Sequence, residues 1–79
     1  MPKATDLKKG EKALIVEINI NEIPLKLIEM GCLPGNEIEL RQTAPLGDPL
    51  YFIINDSQVA IRKDTAEEII IDTASISND

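Results

Sequence analysis

The chain has 79 residues, which is enough for one small domain and too few for a second. Because a chain this short buries only about 60% of its unfolded surface, we expect no deep catalytic cleft. Its 43% hydrophobic and 28% charged residues are typical of a globular domain and exclude intrinsic disorder. Fourteen acidic residues against eight basic ones give a net charge of −6, which disfavours nucleic acid and anionic lipid as partners.

Several residue types that carry chemistry are missing. The sequence has no histidine, the commonest general base and transition-metal ligand. Cys32 is the single cysteine, so neither an intrachain disulfide nor a thiolate zinc cage can form. The lack of disulfides and of a signal peptide favours a cytoplasmic protein with no direct membrane insertion. Since no phosphate-binding glycine loop or nucleophile–base pair is visible, we expect a protein that is not an enzyme.

Apolar residues recur with period two over most of the chain, which is typical of short β-strands. The first strand is predicted at residues 12–20. Apolar side chains occur on both of its faces, and a bulge that switches the inward face midway is consistent with this pattern. Further strands are predicted at residues 37–42, 50–55, 59–62 and 69–72.

One helix is predicted between the first and second strands, at residues 22–30. Asn21 is its candidate N-cap, and Pro24 is tolerated in its first turn. Gly31 suits the left-handed position that follows a helix. The buried side is predicted to consist of three apolar residues at helical spacing: Ile23, Leu27 and Met30.

A second helical turn is predicted at residues 64–67, with Asp64 as its N-cap. Five short strands are too few for two useful sheets, so the predicted fold class is mainly β. We expect a small SH3-like five-stranded barrel with one α-helix between the first and second strands. This domain should span residues 1–72, and residues 73–79, which lose the apolar pattern, should form a flexible tail.

Four motifs occur together in one order and spacing: residues 7–10 (LKKG), 27–35 (LIEMGCLPG), 44–49 (APLGDP) and 61–63 (IRK). They resemble the FeoA family, small cytoplasmic accessory proteins of bacterial ferrous iron transport. The resemblance covers about residues 6–72. It implies an SH3-like barrel whose partner is the membrane ferrous iron transporter with a cytosolic GTPase domain. Cys32 departs from the aliphatic residue that is usual there in the family.

The loop at residues 44–49, called the 44–49 loop below, is the candidate partner-binding site. Its two prolines fix φ near about −65° and its glycine permits a positive φ, so it is a stiff turn with Leu46 exposed at its tip. The loop either only sets the register of two strands or presents Leu46 and Asp48 to a partner at low entropic cost. The predicted partner-binding residues are Leu46, Gly47, Asp48, Pro49 and Arg62.

Arg62 has two possible roles. Its side chain either pairs with a carboxylate such as Asp48 or Asp64 and pins the loop, or reaches an acidic patch or a nucleotide phosphate on a GTPase partner, as an arginine finger does. We favour the structural role.

The leading hypothesis is an accessory module that docks on the transporter and modulates its assembly or activity, with no resident cofactor or metal. The alternative is a carrier or sensor with weak Fe²⁺ binding, and a third reading is a weak homo-oligomer formed through an exposed edge strand. Cys32, as a lone soft ligand, is predicted to be a buried core thiol rather than an iron ligand. Carboxylates suited to a hydrated, low-affinity cation site are Glu11, Glu17, Glu37, Glu39, Glu67 and Glu68.

Overall fold

The computed structural model describes residues 1–72, which form one five-stranded antiparallel sheet with two short helices. The strands are β1 (Lys12–Ile18), β2 (Glu37–Thr43), β3 (Leu50–Ile54), β4 (Ser57–Ile61) and β5 (Ile69–Asp72). The helices are α1 (Leu25–Glu29) and α2 (Lys63–Ala66), and a 3-10 turn (Ala4–Asp6) precedes β1. The strand order is β4-β3-β2-β1-β5, with α1 between β1 and β2 as predicted. The predicted tail at residues 73–79 lies outside the described residues.

The core lies on the inward face of the sheet. Every second residue of β3 is buried, as is the inward pair of β2, Ile38 and Leu40. Burying one such side chain stabilises the fold by about 1.5–3 kcal/mol relative to leaving it exposed. The largest fully buried side chains are Phe52, Ile15, Ile38, Ile54, Ile61, Ile69, Ile71 and Cys32.

β1 changes its inward face at a bulge, as its sequence pattern suggested. Ala13 and Ile15 are buried, whereas Val16 and Glu17 are exposed. The register with β5 shifts between Ile15 and Glu17, which lets Ile18 pack against the core again. The extra residue therefore explains why apolar side chains occur on both faces of this strand.

The predicted helix start was wrong by three residues, because Asn19 rather than Asn21 organises the turn before α1. The Asn19 side chain accepts a hydrogen bond from the Asn21 N–H at 3.2 Å, and its carbonyl accepts the N–H of Glu22 at 2.8 Å. Pro24 has extended backbone (ψ 141°), so the helix begins only after it. Of the predicted buried side, Ile23 is buried, and Leu27 and Met30 are half-buried against the core.

The β3–β4 hairpin and α2 also differ slightly from the prediction. Asn55 and Asp56 form a two-residue turn with φ of 53° and 65°, the left-handed pair that matches strand twist. Ser57 therefore belongs to β4 rather than to the turn. Helix α2 begins at Lys63, and Arg62 rather than Asp64 occupies its N-cap position.

One edge of the sheet is covered by another segment of the chain and the other is not. The N-terminal segment runs beside β5, where the Ile71 N–H donates to the Pro2 carbonyl at 3.0 Å and Lys3 forms a bridge with Ile70. Within residues 1–72, β4 pairs only with β3. The outer edge of β4 is thus the open edge of this sheet.

Candidate functional site

The 44–49 loop joins β2 to β3 as a closed turn. The Gly47 N–H donates to the Ala44 carbonyl at 2.8 Å, and the Ala44 N–H donates to the Pro49 carbonyl at 3.1 Å. Gly47 has φ +90°, and the Asp48–Pro49 peptide bond is cis. Leu46, at the apex, is 96% exposed. The prediction of a turn with a positive-φ glycine and an exposed leucine is confirmed.

A carboxylate ties this loop to α2. The Asp48 Oδ1 accepts a hydrogen bond from the backbone N–H of Lys63 at 2.9 Å. Lys63 is the first residue of α2, and the first N–H groups of a helix have no partner within it. Asp48 therefore caps α2 from a distant loop, a role that sequence reasoning missed because the two residues are fifteen apart along the chain.

The predicted ion pair of Arg62 with Asp48 or Asp64 was wrong. Within residues 1–72 the structure has one ion pair, between Glu39 and Arg41 at 4.0 Å. Because α2 begins one residue earlier than predicted, its first N–H takes the Asp48 oxygen instead. The Arg62 side chain is left exposed.

Arg62 nevertheless lies beside the loop. Asp48, Pro49 and Arg62 line a shallow surface cleft of about 200 Å³. The structure thus brings these three predicted residues together, with Gly47 and the exposed Leu46 preceding them in the loop. An exposed apolar side chain on a hydrogen-bonded turn, with a cationic side chain beside the base of the same loop, is an arrangement suited to contact with another protein.

A second depression, called the α1–β4 groove below, lies between α1 and the end of β4. Its volume is about 230 Å³, and sequence reasoning missed it. The one signal in the sequence is Ala60, a small apolar residue at an outward strand position. The groove shares Arg62 with the cleft beside the loop. Its lining residues are Pro24, Lys26, Leu27, Ala60, Ile61, Arg62 and Thr65.

Cys32 is a core residue, as predicted. Its side chain is fully buried, and this burial raises the pKa of the Cys32 thiol to about 11. The thiol is therefore protonated at neutral pH, whereas thiolate is the form that binds metal. The turn that holds it is closed by Asn36, whose Nδ2 donates to the Gly31 carbonyl at 2.7 Å.

The candidate carboxylates are spread over the surface. Glu17, Glu67 and Glu68 line one depression, where the Asn19 Nδ2 donates to the Glu68 Oε1 at 3.2 Å. Glu37 and Glu39 line another, and the Glu11 Oε1 accepts the Lys8 N–H at 2.7 Å. Across residues 1–72 no three acidic or cysteine side chains are grouped so that they could hold a metal ion.

The described part of the chain also contains no helix of the length and apolar character that crossing a bilayer requires.

The strand order and the single helix between the first two strands define an SH3-like domain. The FeoA of Stenotrophomonas maltophilia complexed with zinc, described as an SH3 domain protein, shares this fold with a TM-score of 0.80 and 22% identity. The match covers 95% of this chain and 94% of that one. The family model of the FeoA domain matches residues 3–73. The chain therefore belongs to the FeoA domain family, and the predicted fold class and family are confirmed.

Two further relatives agree. The FeoA protein of Chlorobium tepidum has a TM-score of 0.84 and 25% identity, over 99% of this chain and 73% of that one. The Fe(2+) transport protein A/Fe(2+) transporter FeoB fusion protein of Porphyromonas gingivalis is 34% identical over 74 residues. That match covers 92% of this chain but only 9% of the length of the fusion protein.

Proposed function

We propose that this chain is a cytoplasmic, non-catalytic accessory module that docks on a membrane ferrous iron transporter with a cytosolic GTPase domain and modulates its assembly or activity. The observation that carries the proposal is the 44–49 loop, which holds Leu46 at 96% exposure. An apolar side chain on a turn closed by backbone hydrogen bonds loses little entropy on binding. Leu46, Gly47, Asp48, Pro49 and Arg62 form the proposed contact surface.

The fusion protein of Porphyromonas gingivalis supports the transporter as partner. It is named as a fusion of Fe(2+) transport protein A with the Fe(2+) transporter FeoB, and this chain is similar to a part of it. Fusion of two modules gives them a high effective concentration for each other. A separate chain would need a contact surface of its own to achieve the same association.

The absence of histidine and of any recognisable nucleophile–base pair supports a module that acts by binding. In that case its effect on the transporter would come from its affinity for one state of the transporter over another.

The test is a binding measurement with the soluble GTPase domain and the full transporter. The wild-type chain, Leu46→Asp and a control, Ile20→Asp, are compared. Ile20 lies outside the loop and is 69% exposed, so both variants place a carboxylate on an exposed aliphatic position. We expect wild type and Ile20→Asp to bind alike, and Leu46→Asp to bind at least about tenfold more weakly, roughly 1.4 kcal/mol.

Retained binding by Leu46→Asp would move the contact surface away from the loop. If the wild-type chain binds neither the soluble GTPase domain nor the full transporter, docking itself is overturned. The arginine-finger role of Arg62 is tested separately by GTP hydrolysis. Arg62→Ala should lower the rate of GTP hydrolysis by the transporter even at saturating concentrations of this chain if that role is correct.

Docking requires no metal on this chain, and we propose no resident cofactor. Weak Fe²⁺ binding by the exposed carboxylates stays a prediction, tested by anaerobic titration of the isolated chain. Weak homo-oligomerisation also stays a prediction, and light scattering across a concentration series tests it.

A further inference from the structure

The open edge of β4 offers unpaired backbone groups. The two-residue turn at Asn55 and Asp56 makes Ile54 and Ser57 a hydrogen-bonded pair, so alternate residues of β4 bond to β3. The N–H and C=O groups of Gln58 and Ala60 consequently point away from the sheet. Within residues 1–72 they have no backbone partner, whereas the opposite edge is covered by the N-terminal segment.

The α1–β4 groove lies beside that edge and shares Ala60 with it. Pro24, Leu27 and Ile61 give the groove apolar walls. The charged residues among its lining are Lys26 and Arg62, and none is acidic. Both basic side chains are exposed. A basic groove in a chain of net charge −6 is complementary to an acidic ligand.

We propose that the β4 edge and the α1–β4 groove bind an extended acidic segment of the transporter's cytosolic part by strand addition. This inference rests on the proposed function and names the chemistry of the partner. The segment pairs its backbone with the outward N–H and C=O groups of Gln58 and Ala60. Alternate side chains then enter the groove, where apolar ones meet Leu27 and carboxylates meet Lys26 and Arg62.

A second copy of this chain fits the edge less well. Pairing of β4 with β4 across a two-fold axis would bring together two copies of the same basic groove. Like charges across an interface disfavour association. The charge of the groove therefore favours an acidic partner segment over self-association.

The backbone part of the proposal is tested with Ala60→Pro and its control Ala60→Ser. The Ala60 N–H points outward, so proline removes the edge donor while β4 keeps its bonds to β3. The probe is the full transporter in detergent. We expect Ala60→Pro to bind at least about tenfold more weakly than Ala60→Ser, which changes the same side chain but keeps the outward N–H.

Hydrogen exchange on the wild-type chain gives a readout that does not depend on how a variant folds. The amides of Gln58 and Ala60 should exchange at least about tenfold more slowly in the presence of the transporter if a strand is added there. The covered β5 edge provides the internal reference, since exchange of the Ile71 amide should not change.

The charge part is tested with the double variant Lys26→Glu/Arg62→Glu. Its control is Lys8→Glu/Lys12→Glu, which changes the net charge equally at exposed lysines outside the groove. We expect a loss of at least about tenfold in affinity for the groove variant alone.

The outcomes separate this inference from the proposed function. Binding that is lost in Leu46→Asp, retained in Ala60→Pro and accompanied by unchanged exchange at Gln58 and Ala60 overturns strand addition and leaves docking through the loop. Equal losses in the groove variant and its charge control overturn the acidic segment. No binding of wild type overturns both proposals.

Discussion

Two glycine-containing turns of this small domain differ in how deeply they are buried. In residues 31–36, called the 31–36 turn below, Gly31 and Cys32 are buried, and the Asn36 side chain closes the turn from within. In the 44–49 loop, Leu46 is 96% exposed. Both segments combine glycine, proline and a leucine in the sequence. Their different burial teaches that one of them organises the core and the other is available to a partner.

The surroundings of the two glycines explain the difference. A Cβ on Gly31 would lie 2.9 Å from the Cβ of Asn55, whereas a Cβ on Gly47 would meet nothing within 4 Å. Gly31 therefore allows the turn after α1 to approach the β3–β4 hairpin closely. Gly47 serves only the backbone conformation of its own loop, where φ is +90°.

Gly31→Ala is expected to have the largest effect, because it combines an unfavourable φ of +108° with the contact to Asn55. We expect a loss of about 3 kcal/mol in the free energy of unfolding. Chemical denaturation of the variant and the wild type measures the difference.

Gly35→Ala is the matched control for this variant. Gly35 also has a positive φ, +97°, but a Cβ there would meet nothing within 4 Å. The free energy of unfolding of Gly35→Ala should fall by about 1 kcal/mol, because only the backbone strain of a side chain at positive φ is added. Similar losses in both variants would show that the close approach of Gly31 to Asn55 contributes nothing.

The buried Cys32 thiol makes the free energy of unfolding depend on pH, which tests the buried turn of this comparison. The unfolded Cys32 thiol titrates near 9.0, and burial raises the pKa of the folded thiol to about 11. The stability that the neutral thiol contributes is complete below pH 9 and is lost as pH rises through about 11, because only the unfolded chain releases its proton between these values. The loss should reach roughly 2 kcal/mol. Denaturation of wild type and Cys32→Ala across the range from the unfolded to the folded pKa of Cys32 isolates this contribution, because the two chains share every other group.

Asp48 links the 44–49 loop to the rest of the domain. Asp48→Ala removes the acceptor for the Lys63 N–H and should lower the free energy of unfolding by about 1 kcal/mol. Asp48→Asn keeps a side-chain oxygen and should lose less. Asp64→Ala, at the cap position that the sequence suggested, should change the stability by less than about 0.5 kcal/mol. A larger loss at Asp64 than at Asp48 would contradict the capping role.

The sequence predicted the sheet better than the helices. Alternation of apolar residues directly reports which side of a strand is buried, so the start of β2 at Glu37 and its inward residues Ile38 and Leu40 were predicted correctly, and its end was one residue short. Helix starts depend on which polar side chain bonds the backbone. Asn19 and Asn21 were both available for that role, and Asn19 makes the turn.

The sequence predicted only those features of the candidate site that depend on residues adjacent in the chain. The apex of the 44–49 loop follows from its own prolines and glycine. The Asp48–Lys63 bond and the α1–β4 groove depend instead on segments brought together by folding. No spacing in the sequence reports that residues 24–27 lie against residues 60–65.

Leu46→Asp is expected to have the smallest effect on the free energy of unfolding, although it is the variant expected to impair docking. The Leu46 side chain is almost fully in solvent, so its replacement removes little packing, and we expect a change within about 0.5 kcal/mol. Chemical denaturation of Leu46→Asp and Gly31→Ala under the same conditions compares how much each turn contributes to the free energy of unfolding. A loss above about 1 kcal/mol would give the loop apex a structural role and remove the contrast between the turns. An unchanged stability combined with impaired binding separates recognition from folding at this residue.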